Sequence, residues 1–235
     1  MTFLEANGAR IPALGFGTWR LTGASCVAAV ETALAVGYRH IDTARMYGNE
    51  REVGEALRAS PLPRDEVFVT TKVWRDQIGA GALERSAEAS LRDLGLDQVD
   101  LLLIHWPNDS IPLKDSIGAL CNARRRGLAR HIGVSNFSVA LLDEAVRLAS
   151  EPLVANQCEY HPRLDQSAVI GACKRHGLAF VSYSPLGKGE LLADPTLTAI
   201  AARLNRKPSQ IVLRWHLQQG VVAIPRSGSA QHIRD

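Results

Sequence analysis

One pattern repeats along the whole chain and constrains the fold more than any other feature. A short, nearly continuous apolar run is followed by a loop and then by a segment with helical periodicity. The runs are Ala13–Phe16, Tyr38–Ile41, Val67–Thr70, Val99–Ile104, His131–Val134, Leu153–Asn156, Leu178–Val181 and Val221–Ile224. Runs of this kind, rich in β-branched residues, suit parallel strands covered on both faces. Helical spacing intervenes: Leu83, Ala87, Leu91 and Leu94 line one face, and Leu141, Leu142, Ala145 and Val146 follow Ser138. Asn49 with Glu52 three residues on has the form of a capping box. Asp194-Pro195 and Lys207-Pro208 place proline where a first helical turn tolerates it.

Eight such units in 235 residues predict an α/β fold of the (β/α)8 TIM barrel type, a single domain over 1–235. The alternative is an open doubly wound sheet, which carries G-x-G-x-x-G after its first strand. Gly15-Phe16-Gly17-Thr18-Trp19-Arg20 comes near that pattern but ends in Arg20. Ahead of the first unit, Asn7-Gly8 lies between two short strand-like arms, the signal of a type I′ hairpin. A hairpin here is expected to cover the N-terminal mouth of the barrel. At the other end the eighth helix is expected to be incomplete, leaving apolar surface uncovered.

Composition narrows the partners. Hydrophobic residues make up 46% and charged residues 22%, ordinary for a globular fold. A net charge of +3 is too mild to argue for nucleic acid, and Arg124-Arg125-Arg126 reads as a solvated helix face. No apolar run is long enough for a membrane helix, and the opening residues Met1–Glu5 have no signal-peptide character. Cys26, Cys121, Cys158 and Cys173 lack metal-site spacing, so buried thiols, no metal and a cytoplasmic location are expected.

In such a barrel, chemistry gathers at the C-terminal ends of the strands. Those positions hold Gly17-Thr18-Trp19, Asp42, Lys72, His105, Ser135-Asn136, Gln157 and Tyr183, with Tyr47 in the loop after Asp42. Asp42, Tyr47, Lys72 and His105 therefore converge from neighbouring units. The set suits carbonyl reduction by hydride, because the developing alkoxide needs a proton. A free phenol, with a pKa of about 10, is a poor acid at neutral pH. Lys72 is expected to lower that pKa, with Asp42 holding the ammonium in place and His105 bonding the carbonyl oxygen.

Gly37-Tyr38-Arg39-His40-Ile41-Asp42-Thr43-Ala44 with Tyr47, Asn49, Glu50, Val53 and Gly54 resembles the first signature of the aldo-keto reductases. Gly133-Val134-Ser135-Asn136-Phe137 is similar to the second, and Ile224-Pro225-Arg226-Ser227 to the start of the third. Thr71–Trp74, His105-Trp106-Pro107 and Asn156–Pro162 also fit, so the resemblance runs along the chain, close to small bacterial members such as 2,5-diketo-D-gluconate reductases. It implies NADPH-dependent reduction of a small aldehyde or ketone, with Tyr47 as proton donor, tuned by Lys72 and Asp42, and His105 orienting the substrate. It implies that Ser135, Asn136 and Gln157 bond the nicotinamide carboxamide and that Tyr183 stacks on its ring. Gly17 and Thr18 would adjoin the cofactor. Ser184, Pro185, Leu186, Gly187 and Lys188 would follow the pyrophosphate, and Arg226 and Ser227, with His232, the adenosine 2′-phosphate. Trp19, Trp74 and Trp106 would wall the substrate pocket of a monomer.

Two departures from the family pattern stand out. Arg226 replaces the usual Lys, and His232 replaces the usual Arg. Arginine keeps a permanent cation and histidine does not, so the preference for NADPH over NADH is expected to be narrower than in relatives. The family's C-terminal tail is expected to be absent, with the eighth helix cut short. The alternatives to a reductase are a cofactor-binding regulatory barrel, an inactive truncated relative, and an aldolase using Lys72 as a Schiff-base nucleophile.

Overall fold

The computed structural model describes residues 2–235; Met1, the first residue of the stretch read for a leader, lies outside them. The chain opens with an antiparallel hairpin of β1 (Phe3–Ala6) and β2 (Ala9–Pro12). Asn7 and Gly8 both take positive φ, 43° and 87°, as the type I′ turn requires. Ala6, Ala9 and Ile11 pack against Leu101, Leu103, Val154, Ala155, Ala179, Val181 and Val222. Asn7 Nδ2 donates to the carbonyls of Leu153 (2.7 Å) and His176 (3.0 Å), beside the starts of two barrel strands. The hairpin thus plugs the N-terminal mouth.

Eight parallel strands follow: β3 (Phe16–Gly17), β4 (His40–Asp42), β5 (Phe68–Val73), β6 (Val99–Ile104), β7 (Ala129–Ser135), β8 (Leu153–Glu159), β9 (Ala179–Tyr183) and β10 (Val222–Ala223). Each pairs with the next in chain order. A bridge between Leu14 and Ala223, with Gly15 N donating to Ala223 O at 2.9 Å, joins the first strand to the last. This seam needs Gly15. A Cβ there would stand 2.7 Å from His40 Nδ1 and 2.9 Å from the Ile224 side chain. The two seam runs form shorter ladders than their apolar lengths predict.

Alternation explains the unbroken apolar runs. In β6, Leu101 and Leu103 face the barrel interior, while Leu102 and Ile104 join the shell under the helices. Full burial of such a side chain stabilises by about 1.5–3 kcal/mol.

Helices α1 (Gly23–Ala35), α2 (Glu50–Ala59), α3 (Ala82–Leu94), α4 (Leu113–Arg125), α5 (Val139–Leu148) and α6 (Ser167–Arg175) follow the first six barrel strands. The seventh unit carries two helices, α7 (Pro195–Arg203) and α8 (Pro208–Gln218), and α9 (Ala230–Arg234) follows β10. Ser138 Oγ accepts from Leu141 N, and Asp194 Oδ1 accepts from Thr196 N and Leu197 N, so both act as caps. Ile233 of α9 is buried and joins the core. The capping box expected at Asn49 and Glu52 does not form. Glu52 instead accepts from Gly23 N at 3.2 Å, and Asn49 turns inward. All four cysteines are buried free thiols. Among the described residues, no helix is long and apolar enough to cross a membrane.

Candidate active site

The C-terminal ends of β4 and β5 bring Asp42 and Lys72 together. Neighbouring strand residues point to opposite sides, so Lys72 enters the barrel mouth and is fully buried. Its ammonium donates to Asp42 Oδ1 at 2.5 Å, to Thr43 O at 2.8 Å and to Tyr47 Oη at 3.4 Å. Three donors meet three acceptors, so the buried cation is satisfied. Burial alone pulls the Lys72 pKa down, but the charges and hydrogen bonds of Asp42 and Tyr47 outweigh it, and the net direction is up. The other oxygen of Asp42 accepts from Gln157 Nε2 at 2.8 Å.

Tyr47 ends a short helical turn, Arg45–Tyr47, between β4 and α2. The four expected groups converge, but the phenol is not made acidic here. Burial, the largest influence, pushes the Tyr47 pKa above its ordinary value; Lys72 pulls it down and Asp42 pushes it up. The expected lowering is therefore overturned in direction, because desolvation of the phenolate outweighs the ammonium at 3.4 Å.

His105 directly follows β6 and is 8% exposed. Its ring lies edge-on to Tyr47, 5.6 Å between centroids, and to Trp74, 5.2 Å. Burial, followed by the nearby Lys72 charge, lowers its pKa to about 3, so the imidazole is neutral at physiological pH. Its Nδ1 is buried without a hydrogen-bond partner among the described residues.

Opposite these groups, Ser135, Asn136, Gln157 and Tyr183 form a second row. Ser135 Oγ donates to Gln157 O at 2.7 Å. Asn136 Nδ2 donates to His105 O at 2.9 Å and to Ser135 Oγ at 3.0 Å, and Tyr183 Oη donates to Asn136 Oδ1 at 2.9 Å. Asn136 holds φ of 64°, a left-handed conformation uncommon outside glycine. A carboxamide needs both donors and acceptors, and this row carries groups of that kind, two side-chain amides and a hydroxyl beside the half-buried Tyr183 ring.

Of the other expected positions, some touch the quartet and others lie apart from it. Gly17 and Thr18 are buried, and Thr18 Oγ1 donates to Asp42 O at 3.1 Å, so Thr18 braces the site from within. Ser184, Pro185, Leu186, Gly187 and Lys188 form the loop leaving β9, with positive φ at Ser184, Gly187 and Lys188. Pro185 is buried, and the Lys188 ammonium faces Glu159 Oε1 at 3.4 Å. Arg226 is exposed just after β10; Ser227 Oγ accepts from Ser229 N, and His232 is exposed on α9. Trp74 touches His105, whereas Trp19 and Trp106 are 37% and 40% exposed, so neither is core. A cavity of about 810 Å³ lies elsewhere, among residues of α1, α2 and the turn before α2.

One residue's structural role escaped the sequence reading. Asn49, fully buried, donates to the carbonyls of Thr18 and Leu21, both at 2.8 Å, and accepts from Thr43 Oγ1 at 2.9 Å. It ties the loop after β3 to the residue whose carbonyl holds Lys72. Its place at a helix start reads as a cap, and only the tertiary partners reveal otherwise.

The model of the aldo/keto reductase family matches residues 13–235. An aldo-keto reductase of Mycolicibacterium vanbaalenii is 45% identical over 225 residues, covering 95% of this chain and 81% of the relative. The methylglyoxal reductase DkgB of Escherichia coli O157:H7 is 40% identical over 226 residues, covering 95% and 85%. A crystal structure of an aldo/keto reductase from Brucella melitensis superposes with a TM-score of 0.94 at 38% identity, covering 99% of this chain and 91% of that one. With the family model matched over residues 13–235 and relatives 40–45% identical along nearly the whole chain, this chain belongs to the aldo/keto reductase family.

Proposed function

We propose that this protein reduces a small aldehyde or ketone to the alcohol with NADPH, using Tyr47 as the proton donor. The arrangement that carries this reading is the buried chain from Asp42 through Lys72 to Tyr47, with neutral His105 beside it. A reduced nicotinamide held by Ser135, Asn136, Gln157 and Tyr183 would supply a hydride to the carbonyl carbon. The carbonyl π electrons then move to oxygen, and Tyr47 Oη delivers the proton that completes the hydroxyl. A phenol with a raised pKa holds that proton throughout the neutral range. Lys72 lowers the cost of the phenolate left behind, which solvent then reprotonates. His105, uncharged, keeps one N–H to donate to the developing oxyanion.

The DkgB relative is named a methylglyoxal reductase, which supports 2-oxoaldehydes as the first substrates to try, with keto-sugar acids and simple aldehydes beside them. On the cofactor side, Arg226 and His232 would face the 2′-phosphate. The test is NADPH consumption with a panel of these carbonyls, for the wild type and Tyr47→Phe. Turnover by the wild type and its loss in Tyr47→Phe, with NADPH binding kept, supports the reading. Tyr47→Phe turning over at the wild-type rate sinks it.

A further inference from the structure

Tyr47 and Lys72 meet inside the barrel mouth. A second contact joins the same two segments from outside it, and no part of the reaction above uses it. Glu50, the first residue of α2, has a carboxylate that is almost fully buried. Its Oε1 accepts from Thr71 Oγ1 at 2.6 Å, and its Oε2 accepts from Arg45 Nη1 at 3.1 Å. Thr71 immediately precedes Lys72 and points the opposite way along β5. Arg45 begins the short turn that ends in Tyr47. Arg45 also bonds Asp93 of α3, which accepts from Arg51 Nε at 2.9 Å.

The turn's own backbone bonds, Tyr47 N to Ala44 O and Gly48 N to Arg45 O, are local. They fix its shape but not its place on the barrel. The Lys72–Tyr47 contact, at 3.4 Å, is at the long end for a hydrogen bond. A small shift of the turn would break it. A buried carboxylate is costly unless paired, and this one spends its two oxygens on the turn and on the strand.

We propose that the Arg45–Glu50 pair is a positioning device, holding the turn that bears Tyr47 against the strand that bears Lys72 and so setting the distance between phenol and ammonium. The inference rests on Tyr47 being the proton donor. The charged or titratable groups around the phenol are Lys72 from β5, Asp42 from β4, His105 after β6 and Tyr183 from β9.

The experiment compares Arg45→Met, Arg45→Lys and Thr71→Val in the full chain. Steady-state kinetics give kcat and KM. Ultraviolet difference titration without cofactor, each variant against its Tyr47→Phe counterpart, gives the Tyr47 midpoint. In Arg45→Met, kcat is expected to fall by about tenfold or more while KM stays within about twofold, since a displacement of about 1 Å can cost about 10²-fold. The Tyr47 midpoint is expected to move upward as the ammonium recedes. Arg45→Lys, which keeps a cation, recovers most of both. Thr71→Val, which cuts the other arm without changing charge, moves both in the same direction.

A folded Arg45→Met with the wild-type kcat and Tyr47 midpoint overturns the proposal, as does Arg45→Lys behaving like Arg45→Met. If Arg45→Met does not fold, unchanged kcat and midpoint in Thr71→Val overturn it. A wild type that reduces no carbonyl defeats the reductase reading instead. The cofactor-free titration then still decides the positioning role.

Discussion

Gln157 and Asp42 stand 115 residues apart in the chain, yet Gln157 Nε2 donates to Asp42 Oδ2 at 2.8 Å. The bond crosses the mouth from β8 to β4 and occupies the one carboxylate oxygen that Lys72 leaves free. Asp42 therefore links the row of groups beside Tyr47 to the row that would hold the nicotinamide. A change on either side is felt on the other.

Lys72→Met is the direct test of this linkage. It removes the cation and strands a buried carboxylate, so unfolding free energy should drop by about 3–5 kcal/mol. Gln157→Leu removes a neutral donor only and should cost about 1–3 kcal/mol. The double variant Asp42→Leu with Lys72→Met should regain much of the stability lost in Lys72→Met, yet restore no turnover. Denaturant melts and kcat measured on the same samples check both halves. Full activity in the double variant would remove the pair from the chemistry.

Tyr47→Phe deletes the phenol oxygen and leaves the ring in place. Loss of general acid catalysis should lower kcat by about 10²–10⁴-fold. Affinity for NADPH, followed by quenching of protein fluorescence, should change little, since the carboxamide row does not touch Tyr47 Oη. The Lys72 ammonium keeps its bonds to Asp42 Oδ1 and Thr43 O, so the melting temperature should stay near that of the wild type. A large drop in the melting temperature would mean that the phenol serves mainly to satisfy the buried cation.

His105 sets a pH dependence whose sign follows from its lowered pKa of about 3. An unfolded histidine titrates near pH 6.5. Between those two values the unfolded chain binds a proton that the folded chain does not. Stability from this residue is therefore complete above about pH 6.5 and is lost as pH falls toward 3, with a limiting slope of about 1.4 kcal/mol per pH unit. His105→Gln should flatten the stability profile between pH 6.5 and 4, as read from urea melts at stepped pH. Parallel profiles for wild type and His105→Gln would show that the imidazole is not held neutral by the fold.

The barrel was legible because its strands are covered on both faces and so write unbroken apolar runs, as in Leu101–Ile104. The hairpin was legible because Asn7-Gly8 meets a local backbone demand. Asp42, Lys72 and His105 were legible as strand-end polar residues in an otherwise apolar setting. What escaped depends on partners distant in the chain. Asn49 has a capping residue's identity, yet the carbonyls of Thr18 and Leu21 and the hydroxyl of Thr43 take its side chain instead. The direction of the Tyr47 shift depends on burial, which no local pattern reports. The Lys188–Glu159 ion pair joins the loop after β9 to the end of β8, and neither segment announces the other.

Cofactor choice gives the last prediction. Arg226 and His232 are both exposed near the end of the chain, on the loop after β10 and on α9. Arginine binds phosphate through a planar fork with a permanent charge, whereas histidine lacks that bidentate fork. His232→Arg should therefore raise the ratio of kcat/KM for NADPH over NADH. A hydrogen bond to a charged group contributes about 1.5–3 kcal/mol, so a gain of about tenfold or more is expected if the new guanidinium reaches the 2′-phosphate. Arg226→Ala should move the ratio the other way by a similar factor, leaving the NADH kinetics nearly unchanged because NADH has no 2′-phosphate. Raising the salt concentration should weaken NADPH more than NADH, since exposed charge pairs are screened. Equal loss of both cofactors in Arg226→Ala would place that arginine in folding or pyrophosphate binding instead of 2′-phosphate recognition.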